Sequence, residues 1–253
     1  MTNRAWEAIF EHHHISQHDF DIAPYLLSAD DIKEATQQFK ATGEREAQIL
    51  CKQDTRESRP ELFKSLGLFV LPIKNGLYAL IRGEGYVDLP EIESPPILHR
   101  SILTFPLETA WQGNSEMQHL DYAYAVSLVR TFMDDPTLVL TIRGRKYTPS
   151  LSFRANGHEL TVEKVHTKVN GGYEGKNQVV LVRTRDTRAK NIVIRQIFYP
   201  YRQWSQVTNK PVHPIFFVRQ GREYHFWRFA FTDADDYTSI KLIEANRLVV
   251  DEN

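Results

Sequence analysis

Apolar positions along the chain alternate or recur with enough regularity to predict most of its elements. "SADDIKEATQQFKATGE" has helical spacing, with Ser28 as N-cap, Asp31 three residues on and Gly43 as the stop. "EAQILCK" reads as a short strand. "RPELFKSLG" reads as a short helix, with Pro60 at its first turn and Gly67 at its end. "LFVLPIKNGLYALIRGEGYVDL" predicts a hairpin turned at Asn75-Gly76. The adjacent prolines of "PEIESPP" (Pro90 to Pro96) disfavour helix and sheet and mark a linker. In "GNSEMQHLDYAYAVSLVRTFM", Leu120, Ala123, Tyr124, Ser127, Leu128 and Thr131 fall on one helical stripe. "TLVLTIRGRKY", "SLSFRANGHELTVEKVHTKV" and "NQVVLVRT" read as strands, with "NGGYEGKNQ" as the turn between the last two. "AKNIVIRQIFYPYRQW" reads as a helix that Pro200 should kink. "PIFFVRQGREYHFWRFAF" is a strand pair turned near Gln220-Gly221.

Strands, then a helix, then further strands imply an α/β fold: a mixed sheet with helices packed on it. Two helices followed by a hairpin in the first third match the element order of a winged-helix-like module. The expected division is a smaller N-terminal module over residues 1–97, in contact with DNA, and a larger domain over 98–253.

The composition of the 253-residue chain fits a globular protein, with 42% hydrophobic and 25% charged residues. The formal net charge of -1 means that any affinity for nucleic acid must come from local clustering. One cysteine, Cys51, excludes an internal disulfide and suits a reducing compartment. With no apolar run of signal-peptide or membrane-spanning length, a cytoplasmic location is expected.

Several polar groupings invite a chemical reading. His12, His13, His14 and His18 lack a second ligand group near in sequence, so a polar surface segment is expected rather than a zinc site. Glu174 and Lys176 fall in the glycine-rich turn, where a solvated tip is expected. Glu116 and Asp121 lie five residues apart on a helix and diverge, although Glu116 alone remains a candidate acid. The strongest signal is basic. Arg183, Arg185, Arg188, Lys190, Arg195 and Arg202 face the single acid Asp186, with Phe198, Tyr199, Tyr201 and Trp204 interleaved. Strand positions two apart share a face, so Arg183 and Arg185 point the same way. Arg143, Arg145 and Lys146 extend the cluster. Guanidinium forks match phosphate oxygens, which points to nucleic acid. The alternative is a set of ion pairs with Glu116 or Glu163.

"NGGYEGKNQVVLV", "NIVIRQIFYPYRQW" and "KPVHPIFFV", in that order, resemble type II restriction endonucleases of the PD-(D/E)xK superfamily. "QILCKQDTRESRPELFKSLGLFVLPIKNGLYAL" is similar to the N-terminal module of the same group. The resemblance implies a restriction-endonuclease-like mixed sheet flanked by helices. It implies an acid before the Gly-Gly-Tyr-Glu-Gly segment and a Glu-x-Lys on the next strand, with two carboxylates holding Mg²⁺. Carried over, the acid falls on Asn170 and the Glu-x-Lys on Arg183 and Arg185. Lys168 stands where relatives tend to be acidic, and Gln196 matches a glutamine that shapes the site. An arginine has no acceptor and stays protonated, so Arg183 cannot ligate a metal. The expectation is a duplex DNA-binding protein whose phosphodiester cleavage is lost or impaired. The alternative is an active Mg²⁺-dependent endonuclease with ligands relocated to Glu116, Glu163 or Glu174. A third reading is a non-catalytic partner of a nuclease or methyltransferase. The family implies a homodimer, a companion methyltransferase, and Mg²⁺ only if catalysis survives.

Overall fold

In the computed structural model of the chain, residues 2–112, 115–185 and 189–251 are described. The aromatic and polar opening stretch is a helix, α1 (Thr2–His12), whose Ala5, Trp6, Ile9 and Phe10 are buried together. β1 (Tyr25–Ser28) leads into α2 (Ala29–Ala35), which opens with the expected capping box: Asp31 N–H donates to Ser28 Oγ at 3.1 Å, and Ser28 N–H to Asp31 Oδ2 at 2.8 Å. The helix stops at Ala35, well short of Gly43. Thr36 Oγ1 donates to the Ile32 carbonyl at 2.6 Å, a side-chain bond of the kind that competes with helical continuation. The segment expected as a strand is a helix instead, α3 (Ala47–Leu50). Its buried Ala47, Leu50 and Cys51 follow helical spacing rather than alternation. α4 (Glu61–Ser65) begins after Pro60 and ends before Gly67, at φ 64°. β2 (Leu68–Lys74) and β3 (Leu77–Arg82) form the expected hairpin, with Gly76 at φ 72°. Together with β1 they make a three-stranded sheet in the order β1-β3-β2.

After β4 (Tyr86–Asp88), residues 89–96 carry no regular structure. They are nevertheless packed down: Leu89 and Ile92 are buried, and Trp227 Nε1 donates to the Pro90 carbonyl at 3.0 Å. β5 (Ile97–Arg100) follows, then α5 (Glu116–Ala125) and α6 (Leu128–Phe132). The single predicted stripe is thus broken in two, because Ser127 adopts a left-handed φ of 69°. β6 (Val139–Tyr147) precedes the hairpin of β7 (Leu151–Ala155) and β8 (His158–Val162). β9 (His166–Glu174), β10 (Val179–Thr184) and β11 (Asn191–Val193) lead to α7 (Arg195–Ser205), which carries Pro200 in its interior. β12 (Val212–Gln220), β13 (Glu223–Phe231) and β14 (Ile240–Asp251) complete the chain.

The main sheet has seven strands in the order β5-β14-β13-β12-β10-β9-β6, while β4 pairs with β11 and β7 with β8. It is mixed: β10 runs parallel to β12 and β14 to β5, and the other pairs are antiparallel. Parallel neighbours need a crossover, and α7 supplies it between β10 and β12. The alternation along β10 divides the layers. Val180 and Val182 join Leu120, Leu128 and Phe132 of α5 and α6 in one core. Val179 and Leu181 pack on the other side, against Tyr201 and Trp204 of α7. A further core joins Phe69 and Ile81 to Phe198, Phe216 and Trp227, so the small sheet and the main sheet share buried contacts.

The glycine-rich turn is shorter than expected. Asn170 to Glu174 belong to β9, leaving Gly175–Gln178 as the connection. Gly172 sits within the strand because a Cβ there would meet Ile142 Cβ at 2.5 Å. Asp135 anchors this connection. Its Oδ1 accepts from Thr137 N–H at 2.9 Å, and its Oδ2 from Gln178 Nε2 at 2.9 Å. The Thr137 hydroxyl, followed by Gln178 and the Thr137 amide, holds the Asp135 carboxyl below its ordinary value of 3.8.

Asp135→Ala is expected to destabilise the fold by about 1 kcal/mol at neutral pH, as the partly exposed Thr137 and Gln178 donors lose their charged acceptor. A group with a lowered folded-state pKa stabilises fully above its unfolded value, and that contribution disappears as pH falls through the folded value. The gap between wild type and variant in urea unfolding should therefore be constant near pH 7. It should narrow as pH falls below the ordinary carboxylate value toward the lowered one.

Candidate functional site

β9 and β10 are paired from Glu174↔Val179 to Gly171↔Val182. Beyond that point a side chain takes over from the backbone ladder. Thr184 N–H donates to Asn170 Oδ1 at 3.2 Å, and Arg183 Nη1 donates to the same oxygen at 3.1 Å. Asn170 is fully buried, and its Nδ2 donates to the Met117 sulfur of α5 at 3.3 Å. Arg183 Nε donates to Gln196 Oε1 in the first turn of α7 at 3.3 Å. Gln196 Nε2 in turn donates to Asp54 Oδ1 at 2.8 Å. Asp54 also receives Arg185 Nη2 on Oδ2 at 3.3 Å and pairs with Arg195 Nη2 at 3.5 Å.

One hydrogen-bonded path thus runs from Asn170 through Arg183 and Gln196 to Asp54 and on to Arg185, and Arg195 joins it through its ion pair with Asp54. All four positions carried over from the restriction-endonuclease motif lie on it. Asp54 does not belong to that motif. It lies between α3 and α4, 131 residues before Arg185. Its own carbonyl accepts Val193 N–H at 3.0 Å, which fixes its loop against the end of β11.

These side chains border a cavity of about 420 Å³. Among the described residues, six cations line it (Lys52, Arg145, Lys168, Arg183, Arg185 and Arg195) against two carboxylates, Asp54 and Glu116. Arg145 and Lys168 stand directly opposite each other on β6 and β9, an arrangement that is unfavourable for like charges. Partial burial, then the charge of Arg183, draws the Lys168 ammonium below its ordinary 10.5, with Glu116 opposing and Arg145 reinforcing. Burial also lowers Arg183, with the field of Glu116 opposing and that of Arg185 reinforcing. Among the described residues, the buried Arg185 Nη1 and Arg195 Nε have no hydrogen-bond partner.

The donor set does not suit Mg²⁺. A hard divalent cation takes carboxylate and carbonyl oxygens. Here Asn170 Oδ1 already accepts two N–H groups, and both Asp54 oxygens face cations or an amide. Among the described residues no group of three or more His, Cys, Asp or Glu side chains is placed to hold a metal.

The remaining predicted residues divide. Glu116 and Arg145 reach the cavity, but Arg143 is paired with Asp121 at 2.5 Å. Lys146 lies over the Trp204 ring at 5.8 Å from its centroid. Lys190 is exposed, and its carbonyl accepts Leu89 N–H. Arg188 and Asp186 lie outside the described residues. Glu163 pairs with Lys74 at 3.8 Å rather than with an arginine. Glu174 is not a loose turn residue, since Lys210 holds it at 2.5 Å. Three of the four histidines have partners: His13 Nε2 bonds the Asp31 carbonyl, His18 Nε2 the Ala23 carbonyl, and His12 faces Glu34. Sequence reasoning misses Lys52, Asp54 and His166 at the cavity. "CKQDT" carries no periodicity or spacing that separates Asp54 from any polar loop residue.

Asp54→Ala is expected to cost about 3–5 kcal/mol, because it leaves two largely buried guanidinium groups without their counter-charge. Denaturant unfolding checks this. A loss within experimental error of zero would mean that solvent already neutralises the pair.

No helix among the described residues is long and apolar enough to cross a membrane. No curated protein and no solved structure matches the chain. Residues 3–80 match a family model described as domain of unknown function DUF6996, and residues 81–249 match one described as domain of unknown function DUF6997. The two stretches meet inside β3, and the second takes in β9, β10 and α7, from which most of the cavity is built. By that match, over more than half of its length, the chain belongs to the DUF6997 family.

Proposed function

We propose that the chain is a duplex DNA-binding protein on a restriction-endonuclease-like scaffold, in which a basic cavity grips a phosphate of the nucleic acid and phosphodiester cleavage is lost. The observation that carries this reading is the cavity's charge: among the described residues, six cations against two carboxylates on a chain whose net charge is -1. Guanidinium and ammonium groups held this close repel one another, and an anion between them relieves the repulsion. The N-terminal residues, read as winged-helix-like, supply a second DNA contact. A homodimer suits a two-fold symmetric duplex site. A companion methyltransferase and a cytoplasmic location belong to the same proposal.

A second reading has one observation in its favour. Of the acids offered for an Mg²⁺-dependent endonuclease, Glu116 lines the cavity, together with Asp54, which sequence reasoning does not name. The guanidinium and amide donors already on Asp54 weigh against it.

Duplex binding should weaken steeply with salt. The double variant Arg145→Ala, Lys168→Ala should flatten the slope of log K against log salt by about 1 to 2, since each phosphate contact contributes about 0.9. Affinity that does not respond to salt would remove the phosphate grip. Methylated and unmethylated genomic DNA should stay intact with Mg²⁺ or Mn²⁺, and discrete fragments would put the endonuclease reading in its place.

A further inference from the structure

The surface beside the cavity has a second feature that a generic backbone clamp does not need. Residues paired across antiparallel strands lie on one face of the sheet, and so do residues two apart. The Arg145↔Lys168 pair is therefore followed, on the same face, by Tyr147↔His166. The two rings lie 4.0 Å apart between centroids, tilted by 34°. Tyr147 is 57% exposed, and His166 borders the cavity. This aromatic pair is backed rigidly. Gln203 of α7 donates to the Tyr147 carbonyl at 2.9 Å and accepts the Thr167 hydroxyl at 2.8 Å, tying both strands down from behind. Among the described residues, neither Arg145 nor Lys168 forms an ion pair.

The charge in the cavity also exceeds what one backbone phosphate can offset. An internal phosphodiester carries a single negative charge, whereas a phosphomonoester carries about 1.5 to 2 near neutral pH and presents three acceptor oxygens. An exposed ring pair is a platform for one unpaired base, because every base has a π-face.

We infer that the site takes a nucleoside phosphomonoester, the phosphorylated end of a nucleic-acid strand, with its phosphate among Arg145, Lys168 and Arg183 and its base stacked on Tyr147 and His166. The inference rests on the phosphate-binding reading of the cavity and adds which phosphate is bound. A free mononucleotide carries the same chemistry and enters the test as a competitor.

The experiment is fluorescence anisotropy on the full chain with four probes of one internal sequence. These are a duplex with 5′-phosphate ends, one with 3′-phosphate ends, one with hydroxyl ends, and a dumbbell whose ends are closed by loops. At least one phosphorylated form is expected to bind tenfold or more tighter than the hydroxyl-ended form, as charge-assisted hydrogen bonds to an added charged group imply. The dumbbell should bind no better than the hydroxyl-ended duplex. Tyr147→Ala, at an exposed position, should lose roughly tenfold on the phosphorylated end and nothing on the dumbbell. Competition by a nucleoside monophosphate supports the same site. Equal affinity for dumbbell and phosphorylated duplex overturns the end-binding inference while leaving duplex binding in place. An unaffected Tyr147→Ala overturns the stacking half. Failure to bind any of the four probes overturns the phosphate-grip reading itself.

Discussion

The grip of Asp54 on Arg185, Arg195 and Gln196 is the interaction on which the arrangement around the cavity depends. Two largely buried guanidinium groups cannot stand together without a counter-charge, and no carboxylate of the main sheet's strands provides one. It comes from a loop between two short helices of the N-terminal part of the chain, pinned in turn by a backbone bond to β11. The docking of the N-terminal residues on the large sheet and the electrostatics of the cavity are therefore one feature.

The sheet supplies the rest of the geometry. β10 lies inside the sheet, between β12 and β9, and carries Arg183 as its next-to-last residue. The crossover through α7 that parallel pairing with β12 requires brings Arg195 and Gln196 back to the end of β10. β9 departs from β10 at the same level, and Asn170 closes the gap by accepting the Thr184 amide. An aspartate in the place of Asn170 could accept the same two bonds. The asparagine does so without adding charge, and its amide end remains a donor to Met117. On the proposed reading, Arg183 stands as a fixed cation where a metal-dependent nuclease would hold a mobile one. The two proposed solutions would make the same demand on a ligand, a negative charge at the end of β10. They differ in chemistry: a metal can activate water, whereas a guanidinium that remains protonated can only bind and orient.

Local signals were readable wherever the governing energies act within a few residues. The capping box at Ser28, the Asn75-Gly76 turn, the boundaries of α4 and the alternation of β10 are set by hydrogen bonds and sterics between near neighbours. The failures share a cause. "EAQILCK" is too short for its period to separate strand from helix. The glycines before Tyr173 look like a turn until the packing of Ile142 against Gly172 explains them. α1 packs on residues distant in the chain such as Phe63, and one edge of β14 pairs with the distant β5.

Taken alone, the sequence determined a mixed α/β chain and a concentration of arginines at the end of one strand. Folding decided which charges meet. It set Arg143 against Asp121 and Glu163 against Lys74, removing them from the site, and it brought Lys52, Asp54 and His166 into it. The reason is that electrostatic energy depends on separation in space and on burial. A carboxylate 131 residues away carries no mark in the sequence of the partner it will find.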